Sequence, residues 1–380
     1  MDQSDIVGPV DMLVPGSQQL LLVLAVVLAA AAVVGIIVSQ AVRFRRRRKG
    51  APRKRPLGTV VASSLLVAAV VLGVVNKPSP FFVPEFPALP RLFPDEAFFY
   101  ANVAELPVDA DSDRMIEAMG GLEVRPGASG EVVNNVVWGF PFNLVDNDTP
   151  RHEVSFTYAA KSDPGPYPIT EPAYIQSMPY HGVDDHYVGI DLENRRMWEL
   201  WATRRWFGSW QAGSGTEWDL DSLDFPKGGT TASGLPMFPL SYTWEEVDSG
   251  SIDHVIGAGS PVVRTEGFRW PAQSTDGPTE DPDAPPMGSL LRLRADVNID
   301  ALGPQARVIA VAMRDHGMVL ADTAGTFSGW GTPDGRWDNA DLATLSTLST
   351  DDFEVVDPDS LMVRSDSLEA KPTAASAPNS

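Results

Sequence analysis

The sequence predicts a mostly-β domain, a two-layer β-sandwich of jelly-roll type with a few peripheral helices, held behind an N-terminal two-helix transmembrane hairpin. Three observations lead there. Two uncharged runs of 19 residues stand in the first fifth of a 380-residue chain. Residues 96–359 read as short β-type runs separated by Gly, Pro, Asn and Asp. Helical patterns are few, and no repeat of solenoid or propeller length occurs.

Taken in order, residues 1–19 form a short extracytoplasmic N-terminus. The runs at 20–38 ("LLLVLAVVLAAAAVVGIIV") and 57–75 ("LGTVVASSLLVAAVVLGVV") each come close to the ~20 residues that ~30 Å of hydrocarbon requires. A cleaved signal peptide carries positive charge ahead of its apolar core, and here Asp2, Asp5 and Asp11 stand there instead. The loop at 39–56 contains "RFRRRRKGAPRKR", with nine Arg and Lys. Such loops stay in the cytoplasm and touch anionic headgroups of the lipid bilayer, a role favoured here over nucleic-acid binding. The expected location is therefore the cell membrane, crossed twice, with the large C-terminal domain extracytoplasmic.

Removing the loop's nine positive charges and the three N-terminal acids from the total of −21 leaves −27 for the exported part. Such a surface repels nucleic acid and other polyanions. With no cysteine, the chain has no disulfide, thiolate metal site or cysteine nucleophile. Prolines crowd residues 76–95, which read as an extended stalk or as a strap packed through Phe81, Phe82 and Phe86. Strands are expected in "VVNNVVWGF", "HEVSFTYAA", "HYVGID", "RRMWELWA", "SLLRLRADV", "GMVLAD" and "DFEVVD". One helix starts with Pro304 after Gly303 and stops before Gly317, a second is capped by Thr243 with Glu246, and a third runs from Asp338 through Leu348. The tail 360–380 is polar and Pro/Ala/Ser-rich and is expected to be disordered.

The richest stretch for chemistry is "DDHYVGIDLENRRMWELW", residues 184–201. With Glu193 and Asn194 at the tip of a hairpin, Ile190 opposes Met197, Val188 opposes Glu199 and His186 opposes Trp201. His186 and Glu199 then share a face, an arrangement suited to proton transfer or to a purely structural pair. Five of the ten tryptophans, Trp198, Trp201, Trp206, Trp210 and Trp218, follow within 21 residues. They serve as core, or as the floor of a sugar-binding groove beside Asp219 and Asp221. "DADSD" lacks the glycine and closing Glu of a calcium loop and reads as a helix start, while "DGPTEDPDAPP" reads as a solvated loop. No P-loop, dinucleotide fingerprint, G-x-S-x-G or H-E-x-x-H is present, so nucleotide binding, serine hydrolysis of that type and zinc proteolysis fall away, and no cofactor is expected.

The strings "SDPGPYPI", "DDHYVGIDLENRRMWELW", "WQAGSGTEWDL", "ASGLPMFP", "IDHVI", "PPMGSLLRL", "ARVIAVAMRDHGMVLAD" and "DFEVVD", in that order, resemble a family of secreted or membrane-attached proteins frequent in actinobacteria, with no settled activity. The resemblance spans roughly residues 103–357. Its D-x-H, Y-E-L/F, W-x-x-G-x-G-x-x-x-D-L, I-x-H and late A-D motifs fall on Asp184, His186, Asp191, Glu199, Trp210, Asp219, His254 and Asp322. The departures are Trp198, where tyrosine is usual, and Asp185, where glycine is common.

The expected activity is that of a cell-surface protein acting on or binding envelope polysaccharide. As a glycoside hydrolase it would pair Glu199 with Asp184, Asp191 or Asp219, assisted by His186. As a polysaccharide lyase it would use His186 as base, with His254 as a second polar group. Trp198, Trp201, Trp210, Trp218 and Asp322 would hold the sugar. The alternative is a non-catalytic binding or scaffold module for envelope assembly.

Overall fold

A computed structural model describes residues 83–133, 136–178, 182 and 184–373. The expected transmembrane runs, their basic loop and the N-terminal segment lie outside the described residues, within which no helix is long and apolar enough to cross a membrane.

The first part of the domain contributes β1 (Asn143–Leu144), β2 (Arg151–His152), β3 (Val154–Phe156), β4 (Tyr167–Pro168), β5 (Tyr187–Asp191), β6 (Arg196–Trp201), β7 (Arg204–Trp206), β8 (Ser209–Ala212) and β9 (Ser214–Asp219). The second contributes β10 (Ile256–Ser260), β11 (Leu290–Leu293), β12 (Met318–Thr323), β13 (Ser328–Gly329) and β14 (Phe353–Val356). They assemble into a four-stranded sheet β1-β5-β6-β9, a five-stranded sheet β13-β10-β12-β11-β14, a three-stranded sheet β3-β8-β7 and the pair β2-β4. The β-rich class expected from the sequence is what the domain has. Its connectivity differs from a jelly roll, which is antiparallel throughout. Here β1 with β5, β3 with β8 and β10 with β12 run parallel, because intervening segments carry the chain back before the partner strand begins.

Helices α1 (Ser112–Met119), α2 (Trp244–Ser249), α3 (Pro304–Asp315) and α4 (Asn339–Leu342) follow the signals in the sequence. Thr243 and Glu246 form a complete capping box on α2, and Pro304 opens α3. Asp338 caps α4 by accepting from the amides of Ala340 and Asp341, and the expected third helix continues as a 3-10 turn over Ala343–Thr347. The apolar side of α3, with Ile309, Ala310 and Met313, packs on Ile256, Leu291, Leu293 and Leu320 of the five-stranded sheet. A separate cluster of Tyr167, Ile169, Tyr187, Trp198, Leu200 and Trp210 fills one face of the four-stranded sheet.

Three expectations are corrected. Among its described residues "VVNNVVWGF" supplies no strand, only an isolated bridge between Val133 and Val136. The 76–95 segment is no free stalk in its described part: Phe86, Leu92 and Phe93 are buried, as a strap would have them. The tail is ordered through residue 373, because Leu361 and Leu368 are buried and Ala97 pairs with Glu369. Two apolar anchors outweigh the polar composition around them.

Candidate functional site

The β5–β6 hairpin has the register expected from its sequence. Val188 faces Glu199, Ile190 faces Met197 and Asp191 faces Arg196. Asp191 braces the turn, its two oxygens accepting from the amide and side chain of Asn194 at 2.9 and 2.8 Å. At the open end Asp185, at a φ of 36°, forms a buried ion pair with Arg204 and accepts from the Gly182 amide at 2.6 Å. That left-handed conformation is one glycine fills without strain.

Sharing a face does not make His186 and Glu199 partners. The Glu199 carboxylate is wholly engaged by the protein: Oε1 accepts from the amides of Met237 (2.7 Å) and Phe238 (3.3 Å), and Oε2 from the Thr230 hydroxyl (2.9 Å). Burial raises its pKa to about 7 against these hydrogen bonds. His186 is also buried, stands edge-on to Phe140 at 5.7 Å, and is lowered to about 3 by desolvation. Desolvation alone sets this shift, with no charge among the described residues offsetting it, so the imidazole is held neutral.

The other expected residues scatter. Asp219 pairs with Arg196 at 2.7 Å on the surface, its carboxyl held low by the Asp221 amide and Arg196 against modest burial. His254 is buried in an ion pair with Glu246 (3.3 Å) and bonds the Val255 carbonyl (2.8 Å). Burial alone would lower it, but Glu246 leads the groups that raise it, so it ties α2 to β10. Trp198, Trp210 and Trp218 are core residues. Arg151 stacks over Trp198 and Arg205 over Trp210.

What the fold does build is a cleft of about 1320 Å³. Of the expected residues it takes Asp184, His186, Trp201 and Asp322. Glu199 stands behind it, holding Thr230 in the wall. The sequence reading missed Trp138, Tyr158, Trp330 and Asp276, which also line it. Trp138 and Tyr158 are about half exposed there, and Tyr158 stacks on Trp201 at 6.1 Å and 28°. Gly213 permits that platform: a Cβ there would lie 2.2 Å from the Trp201 ring. The indole N–H of Trp201 donates to Asp184 at 3.3 Å.

Asp322 is the penultimate residue of β12, just beyond a register shift at Ala258/Gly259 in its pairing with β10. Bulges of this kind redirect side chains at the ends of strands. The carboxyl is sunk in the wall yet opens on the cleft. Its pKa is pushed up to about 7, first by burial and then by the charges of Asp276 and Asp184, although the Thr323 amide donates to it at 2.8 Å. Asp276 is tied to the same strand end by the Thr323 hydroxyl at 3.5 Å. It opens the acidic loop "DGPTEDPDAPP", and a run of loop acids gave no sign that its first member, though exposed, would border the cleft. Among the described residues no three His, Asp or Glu side chains are placed to hold a metal ion.

Searches against family models, curated proteins and solved structures match nothing. The geometry of the cleft is therefore what a functional reading stands on.

Proposed function

We propose that this chain is a two-pass, membrane-anchored cell-surface protein whose extracytoplasmic domain binds envelope polysaccharide in this cleft and hydrolyses it by carboxylate acid-base catalysis. One observation carries the reading: a carboxyl raised to about 7, Asp322, opposes two further carboxylates, Asp276 and Asp184, in a cleft with exposed aromatic faces. Indole and phenol faces stack on sugar rings, and carboxylates bond their hydroxyls. Two carboxyl groups whose surroundings separate their proton affinities divide the labour of glycoside hydrolysis. Asp322 gives its proton to the departing glycosidic oxygen. Asp276 or Asp184 takes the proton of the attacking water or forms the glycosyl ester that water then cleaves.

The experiment incubates the full chain with bacterial envelope glycans and follows new reducing ends. Asp322→Asn is expected to lower the rate by about 10²-fold or more while binding persists, the scale of a positioned acid. Glu199→Gln, which leaves the cleft lining intact, should retain most of the activity. Binding without product from the unaltered chain would move the reading to the non-catalytic module. Absence of both would overturn it.

A further inference from the structure

Three lysines fall among the described residues: Lys161, Lys227 and Lys371. Lys371 donates to the Ser360 carbonyl. The other two line the cleft, and neither has an ion pair or side-chain hydrogen bond among the described residues. This is unusual in a region with so large an excess of acid. Arg125, also in the lining, already pairs with Glu123 at 2.6 Å.

Local structure brings Lys161 and Lys227 to one rim. The 3-10 turn Ala159–Lys161 places Lys161 a single turn after Tyr158, and its amide donates to the Tyr158 carbonyl at 2.9 Å. The loop bearing Lys227 lies directly on the next residues. A Cβ on Gly228 would come within 2.3 Å of the Gly215 carbonyl oxygen and 3.0 Å of Asp163 Oδ2, so only glycine allows that approach, and it sets the Asp163 carboxylate against the residue after Lys227. The Ser214 hydroxyl fastens the same loop through the Gly229 carbonyl at 2.7 Å. Asp163, the nearest acid along the chain, is turned to β9, accepting from the Glu217 amide (3.0 Å) and the Thr216 hydroxyl (3.3 Å).

Trp201 divides the cleft. Its N–H faces Asp184, while its six-membered ring lies against Gly213, whose carbonyl accepts from the Tyr158 amide at 2.9 Å. Asp184 thus stands at the indole N–H edge of Trp201, while Lys161 follows one turn after Tyr158, the ring stacked on that indole. The fourth acid of the lining, Glu131, accepts from Asn339 at 3.2 Å. The acidic surface at large repels polyanions, and an anionic group beside Asp184, Asp276 and Asp322 would be repelled too; only beside Lys161 and Lys227 does it gain two charge-assisted contacts that offset this field at short range.

We infer that the cleft selects an anionic glycan: a ring stacked on Tyr158 and Trp201 presents a carboxylate or phosphate to Lys161 and Lys227, while the acids engage its neighbour. The inference rests on the glycan reading and names the class of glycan. It is tested with the full chain by comparing polygalacturonate with its methyl ester, which has the same backbone without the charge, and with polyglycerol phosphate. Affinity is read calorimetrically at low and high salt. The charged polymer should bind about tenfold more tightly than the ester, the scale of two partly screened charge contacts, once salt screens the long-range repulsion of the acidic domain. Whichever of polygalacturonate and polyglycerol phosphate binds better identifies the anion. Lys161→Gln with Lys227→Gln, both exposed and so neutral for folding, should abolish the preference and leave binding of the ester unchanged. Equal binding of polygalacturonate and its ester, with phosphate giving no advantage, overturns the inference and leaves the glycan reading standing. So does a preference that survives loss of both lysines. Binding of no polymer overturns both.

Discussion

Glu199 shows how burial changes what a carboxyl does. Between its ordinary 4.5 and its folded value of about 7, the native chain holds a proton that the unfolded chain has released. Its stabilising contribution is therefore full below pH 4.5 and falls by about 3 kcal/mol as pH rises to about 7. His186 acts with the opposite sign. Folded at about 3 against 6.5, it binds a proton more readily when unfolded, so its contribution is full above pH 6.5 and is lost as pH falls towards 3. Glu199→Gln removes the first effect and leaves the second. Measured by urea unfolding, the variant should gain on the unaltered protein by about 2–3 kcal/mol between pH 5 and pH 8. A difference that does not change with pH would show that the carboxyl ionises normally in the fold. Asp322 has a similarly raised pKa but opens on solvent, which makes it a candidate acid where Glu199 is a brace.

Among the elements, the β5–β6 hairpin was legible as two β-type runs about the polar interruption "DLENRR", but a turn one residue longer would have moved Glu199 to the other face, so its register was settled by the fold. Strand β10 was not legible. Its sequence, "IGAGS", has the composition of a loop, yet every residue is buried. Small residues are needed there: a Cβ on Gly257 would lie 2.3 Å from the Trp330 ring, and one on Gly259 would lie 2.7 Å from the Ala324 Cβ. The β7–β8 hairpin makes a different point. Its tip is Phe207-Gly208, at φ values of 47° and 84°, with Phe207 90% exposed. Two successive positive φ values call for Asn-Gly. Phe207→Asn should raise stability by about 0.5 kcal/mol in thermal or urea unfolding, since it relieves an unfavourable backbone and gives up almost no burial. A loss of more than that would mean the ring has packing that its exposure does not suggest.

For the whole molecule, both ends of the described chain act as straps. Leu368, fully buried, exchanges backbone bonds with two distant segments: its amide donates to Leu223 and its carbonyl accepts from Phe98. Leu368→Ala should cost about 2–5 kcal/mol, the range for a buried leucine that leaves a cavity. A loss below 1 kcal/mol in equilibrium unfolding would show the C-terminal strap to be dispensable.

The sequence by itself determined the β-rich class, the starts of the helices and the place of the β5–β6 turn, because each depends on local signals: caps, and proline and glycine positions. It also supplied the expectation of a membrane anchor, which lies outside the described residues. The grouping of the site was decided by tertiary structure. Asp184, Asp276 and Asp322 lie on a hairpin, a loop and a strand end far apart in sequence, and no local pattern records that they meet. The same holds for the tryptophans: density in the sequence pointed to five, of which Trp198, Trp210 and Trp218 are buried in the core, while Trp201 lines the cleft with Trp138, which lies outside that cluster. Which side of a strand is covered depends on what the rest of the chain lays against it, and that information is non-local.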